Sequence, residues 1–211
     1  MSNQTQETAR ILPKKLMSFT VERLNRVASL FINLNMNPNT LSIFATITGL
    51  GAGILFVFNR PFWAGILIII CGTLDILDGK VAAGTNKTSI FGAFFDSTLD
   101  RYSEFFIYLG LAVHFSNHWA LWITFFAFLG STMVSYTRAR AEGLGIECKI
   151  GVMQRAERLV FLAAGSILGS LLKIFDPLMI GVLIAIALLS NITAIQRTLF
   201  FKKVEKQKKS K

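Results

Sequence analysis

DILDGKVAAGTNKTSIFGAFFDSTLD, residues 75–100, places four carboxylates, Asp75, Asp78, Asp96 and Asp100, in segments otherwise apolar enough to cross a membrane. An ionised carboxylate inside a bilayer is costly, and four together repel one another unless something cationic sits between them. A divalent metal is the simplest such cation. Asp75 and Asp78 are three residues apart and Asp96 and Asp100 four apart, so on helices each pair shares a face. The polar run Gly84 to Ser89 can turn the chain, making the two helices an antiparallel hairpin. Folded about Lys87, the hairpin brings Asp75 level with Asp100 and Asp78 level with Asp96, roughly 15 Å from the turn at 1.5 Å per residue. Hard oxygen ligands meeting at one depth suit magnesium, manganese or calcium rather than zinc. Gly79 and Gly92 flank the cluster on its loop side. Glycine inside a helix costs about 1 kcal/mol against alanine, so each needs a reason: close helix packing, or room for a phosphate against the metal.

Outward from this stretch the chain is apolar. Of 211 residues 53% are hydrophobic and only 16% charged, with a mean hydropathy of +0.54, which excludes an ordinary soluble domain. Six spans are expected: about 41–58, 61 into the first aspartate pair, the second pair to 113, 118–136, 152–172 and 177–200. The expected fold is an all-α integral membrane protein of six transmembrane helices, preceded by an amphipathic helix at the membrane interface. Residues 1–36 form the tail and interfacial helix, 37–200 the membrane domain and 201–211 a basic, solvated tail. In the interfacial helix Leu12, Leu16, Phe19, Leu24, Val27, Leu30, Phe31 and Leu34 share one arc, into which Arg23 intrudes. In the first span Ala45, Gly49 and Gly53 recur every four residues as a stripe for close helix contact.

Charge sets the orientation. Arg60 and Lys173 are the basic residues of the loops on one side, whereas the termini, the 84–89 turn and residues 138–158 carry nearly all the rest. The positive-inside rule therefore puts the termini and the open end of the aspartate cluster in the cytoplasm of a multi-pass inner-membrane protein. The net charge of +10 fits attraction to anionic lipid and does not require nucleic acid. Cys71 and Cys148 fall in a span and a cytoplasmic loop and read as free thiols. His114 and His118 read as interfacial neighbours of Trp119 and Trp122 rather than as metal ligands.

A second informative run is SYTRARAEGLGIECKIGVMQRAERL, residues 135–159. Arg138 and Arg140 end one span, and Arg155 and Arg158 begin the next, one turn apart. Arginine suits bidentate phosphate recognition, and Glu142 and Glu157 are placed to orient such a cluster.

Asp75, Asp78, Gly79, Ala82, Gly92, Asp96 and Asp100, in this order and spacing, resemble the signature of the CDP-alcohol phosphatidyltransferases. The resemblance implies metal held by the four aspartates, Mg2+ or Mn2+, with Asp100 as the catalytic base. It also implies CDP-lipid contacts from Asn39, Thr40, Leu41, Ser42, Gly79 and Ser89. The family usually has arginine where this chain has Ala83, at the diphosphate side of the donor; Lys80 and Lys87 are the two candidates for the missing charge. The paired arginine runs, with Arg101 following Asp100, resemble the branch that makes phosphatidylinositol phosphate and its archaeal ether-lipid counterpart. That implies CDP-diacylglycerol as donor and inositol 1-phosphate as acceptor, its phosphate held by Arg138, Arg140, Arg155 and Arg158, in a homodimer. Glycerol 3-phosphate is the rival acceptor. A cation or proton transporter also places aspartates in its spans, but it requires neither the paired glycines nor an arginine cluster at the same face.

Overall fold

The structure, a computed structural model, describes residues 14–209, with side chains from residue 24 to 208. Seven helices make up the described residues, with no strand: α1 Lys14–Asn33, α2 Pro38–Val57, α3 Pro61–Gly84, α4 Ile90–His114, α5 Ala120–Gly143, α6 Arg155–Leu171 and α7 Phe175–Lys209. Local chemistry sets their starts. Asn37 caps α2, its side chain accepting from the Asn39 amide at 3.1 Å, and Pro38 opens the helix where no donor is needed. Ser89 caps α4 in the same way, accepting from Gly92 at 2.9 Å. Between α3 and α4 the chain turns at Asn86, which takes a positive φ of 54°.

Three of the described helices, α2, α5 and α7, are long and apolar enough to cross a membrane by length and composition. At 17 residues α6 is short for a crossing, and α3 and α4 carry the aspartates within their length. Large apolar side chains face outward all round: Phe44 and Ile54 on α2, Trp122 and Phe126 on α5, Leu188 and Leu199 on α7. So continuous an apolar exterior is what a lipid-facing protein presents. Trp63, Trp119 and Trp122 are exposed at the end remote from the aspartates, as an interfacial belt is.

The main core fills that remote half, with Phe56, Ile68, Ile107, Leu111, Leu162, Met179 and Leu183 buried together. A smaller cluster near the aspartates joins Leu24 and Ala28 of α1 to Leu41 of α2 and to Leu77 and Val81 of α3. The apolar arc of α1 therefore divides. Leu24 and Phe31 pack inward, whereas Val27, Leu30 and Leu34 remain exposed. The side chains of Leu12, Leu16, Phe19 and Arg23 lie outside the described residues.

Two expectations are corrected. The aspartate-bearing helices α3 and α4 do not pack extensively on each other; α2 lies against both. The reason is the stripe of α2: a Cβ at Gly49 would sit 2.9 Å from that of Ser103, and one at Gly53 would strike the Phe106 carbonyl, so only small residues let α4 approach. Nor does helix stop at residue 200. α7 runs on to Lys209, because nothing in FFKKVEKQK breaks a helix and its Lys, Glu and Gln favour one. Lys208 there donates to the Gly145 carbonyl at 3.2 Å.

Candidate functional site

The aspartates stand where α2, α3 and α4 converge with the start of α6. Asp75, Asp78 and Asp96 each offer a carboxylate oxygen, and these lie within 4.8 Å of one another. Asp78 is buried and accepts from Ser42 Oγ on α2 at 2.6 Å. Asp96 Oδ1 is buried with no hydrogen-bond partner. A buried, unpartnered carboxylate oxygen beside two other carboxylates fits a divalent cation, and the all-oxygen donor set fits Mg2+ or Mn2+. Asp100 is joined to this trio differently. Arg155 bridges the two pairs, with Nη1 2.5 Å from Asp75 Oδ1 and Nη2 2.9 Å from Asp100 Oδ1, while donating to Ser103 Oγ at 3.2 Å. Arg101 is a second, looser neighbour, 3.6 Å from Asp100 Oδ2. Two guanidiniums, one of them held only loosely, among four carboxylates leave the site with excess negative charge.

On the Asp78 and Asp96 side a pocket of about 240 Å³ opens, lined by Asn39, Ser42, Gly79, Lys87, Ser89 and Gly92 among others. The starts of α2 and α4 both lie at its wall, so the positive ends of their helix dipoles favour an anion there. A Cβ at Gly79 would meet nothing within 4 Å, so that glycine leaves open space rather than a helix contact. The remaining residues expected at the donor stand elsewhere: Leu41 is buried with Leu77 and Val81, Thr40 is half-buried beside the lining, and Ala83 is exposed outside it.

The four arginines separate. Arg155 is at the carboxylates. Arg158, one turn on, is fully buried and bidentate to Glu104, with Nε–Oε1 2.6 Å and Nη2–Oε2 3.0 Å. Arg138 pairs with Glu142 at 2.9 Å at the end of α5. Arg140 is exposed and lines a shallow groove of about 230 Å³ between α5 and α7.

Glu104 and Arg197 carry weight that sequence reading missed. Glu104 continues the four-residue series Asp96, Asp100 on one face of α4, and an acidic residue in an apolar span is itself a signal. Arg197 is the same kind of signal in α7. Its Nε donates to the Ile150 carbonyl at 2.8 Å and its Nη1 to that of Val134. Thr193, one turn earlier, accepts from the Met153 amide at 3.2 Å. Together they fasten the segment that delivers Arg155 to the carboxylates, and Gly151 in it takes a φ of 123° open to glycine.

Known proteins resemble this chain in sequence and in fold. The chain is 38% identical over 181 residues to the archaetidylinositol phosphate synthase of Pyrococcus horikoshii, covering 85% of this chain and 91% of that protein. It is 34% identical over 199 residues to the phosphatidylinositol phosphate synthase of Streptomyces avermitilis, covering 89% and 81%. Its fold matches the crystal structure of the Mycobacterium tuberculosis phosphatidylinositol phosphate synthase with CDP-DAG bound, at a TM-score of 0.76 and 24% identity over 84% of this chain and 92% of that one. A further structure of that enzyme, in complex with manganese and citrate, matches equally well. The family model for CDP-alcohol phosphatidyltransferase covers residues 35–195, which include every carboxylate and arginine of the site but none of the basic end of α7. With that model covering most of the chain and relatives 34–38% identical over most of their length, this chain belongs to the CDP-alcohol phosphatidyltransferase family.

Proposed function

We propose that this protein transfers the phosphatidyl group of CDP-diacylglycerol, or its ether-lipid equivalent, to inositol 1-phosphate, releasing CMP. The observation that carries the reading is the two-sided site: a carboxylate trio opening onto an anion pocket on one side, and Asp100 held with Arg155 on the other. Asp75, Asp78 and Asp96 would hold Mg2+ or Mn2+, which would polarise the donor diphosphate and neutralise charge on the departing phosphate. The donor nucleotide lies in the pocket by Asn39, Gly79 and Ser89. The acceptor enters on the Arg155 side, where a guanidinium suits a phosphomonoester, and its hydroxyl gives up its proton to Asp100. Arg158, buried against Glu104, holds the α6 start in place, and Arg138 and Arg140 draw the acceptor's charge toward the same end.

The remaining helices complete a six-span bundle, α3 crossing antiparallel and α4 parallel to α2, with α1 in the interface. Nearly all the basic residues lie at the aspartate end, Arg60 and Lys173 apart, and the tryptophans at the other, which supports a cytoplasmic site. By family resemblance the protein works as a homodimer. CMP release by the purified protein tests the reaction, with CDP-diacylglycerol and Mg2+ or Mn2+ and with inositol 1-phosphate, inositol or glycerol 3-phosphate as acceptor. Turnover with inositol 1-phosphate alone, lost in Asp100→Asn, is the expected result. Turnover with glycerol 3-phosphate alone would replace the acceptor, and no release with any of the three would overturn the reading.

A further inference from the structure

Resting on that reading, we propose that Lys87, in the turn between α3 and α4, neutralises the phosphate of the departing nucleotide, the charge that Ala83 leaves unsupplied. Two lysines were open to this role, and the structure separates them. Lys80 Nζ donates to Asn25 Oδ1 on α1 at 2.5 Å and forms no part of the pocket wall. Lys87 lines the pocket together with Asp78 and Asp96, and among its described lining residues is the only cation. A diphosphate entering beside these carboxylates meets like charge that a metal on them offsets only in part, and a cation in the same lining helps to hold it.

Asn86 takes the positive φ that reverses the chain, and Lys87 Nζ donates to the Asn35 carbonyl at 2.8 Å, which keeps the amine above the start of α2. Its partner is a neutral carbonyl, so the ammonium's charge remains available to a ligand. No side chain at Gly79 stands in the pocket beside it, and a Cβ at Gly92 would crowd Ser89 Oγ at 3.0 Å. Asp100 and Arg155 belong to the other side of the site. Lys87 therefore acts on the leaving group and not on the acceptor: as the phosphorus–oxygen bond to the nucleotide breaks, the new charge falls on the CMP phosphate at the Lys87 wall.

Calorimetric binding of CMP and of cytidine, with Mn2+, to the wild type, Lys87→Ala, Lys87→Arg and Lys80→Ala reads this directly. Expected is about a tenfold loss of CMP affinity in Lys87→Ala, with cytidine unchanged. Lys87→Arg should recover most of it, and Lys80→Ala should bind as wild type. In turnover, Lys87→Ala should lower kcat and raise the donor KM while leaving the acceptor KM alone. Equal CMP affinity in Lys87→Ala and wild type overturns the proposal, as does a wild type that does not bind CMP. Failure of the reaction itself looks different: the wild type then binds CMP with the Lys87 dependence, yet releases none from CDP-diacylglycerol with any acceptor.

Discussion

Arg155 is the residue on which both halves of the site depend. It touches Asp75 and Asp100 at once, so an anion entering on that side competes with these carboxylates for one guanidinium. Asp96 differs, having a buried oxygen without a partner and thus the strongest demand for a cation. Asp96→Asn should weaken Mn2+ binding, read by calorimetry, and cut CMP release roughly 100-fold or more, since metal charge stabilisation is worth several kcal/mol and 1.4 kcal/mol is tenfold. Glu104 and Arg158 make a different prediction, about stability. Glu104→Ala strands a buried guanidinium, at about 3–5 kcal/mol. In detergent its melting temperature should fall by about 10 °C, and a Glu104→Leu, Arg158→Met double variant should regain much of the loss. The aspartates were readable because charge in an apolar span needs a reason. Glu104 stood in the same series and its partner did not, because Arg158 lies 54 positions away and only packing pairs them.

Among the elements, α2 decides how the carboxylates meet. Its small-residue stripe was legible in the four-residue spacing, but its target was not, since chain order suggests that α3 and α4 pair with each other. The contact is backbone on backbone: a Cβ at Gly110 would strike the Gly53 carbonyl and Cα, with no flexible side chain to yield. Gly110→Ala should therefore cost about 1–3 kcal/mol, seen as a lower melting temperature, and lower activity with it by moving Asp96 and Asp100. Gly79→Ala is the contrast. Nothing lies within 4 Å of the added carbon, so the fold should melt as wild type while the donor KM rises, because the methyl group enters the pocket. Capping residues told where α2 and α4 begin, being local. The extension of α7 escaped the hydropathy boundary because helix continues through charged residues when no breaker stops it.

For the whole molecule, the prediction concerns sidedness. The proposed topology, with the carboxylate end in the cytoplasm, predicts that Lys173→Cys in intact spheroplasts reacts with a membrane-impermeant maleimide and Asn86→Cys only after lysis; the reverse pattern would invert the topology. The native thiols do not interfere, as Cys71 and Cys148 are both buried. From the sequence alone came the all-helical class, the membrane character, the aspartate and glycine signature and the basic end, because each is written in spacing, hydropathy or charge along the chain. Only the tertiary structure put α2 between the aspartate helices, turned Arg155 onto Asp75 and Asp100, buried Arg158 against Glu104 and chose Lys87 over Lys80 for the pocket wall. Those outcomes depend on which distant surfaces fit, and fit arises from shape and burial across helices that no local pattern encodes.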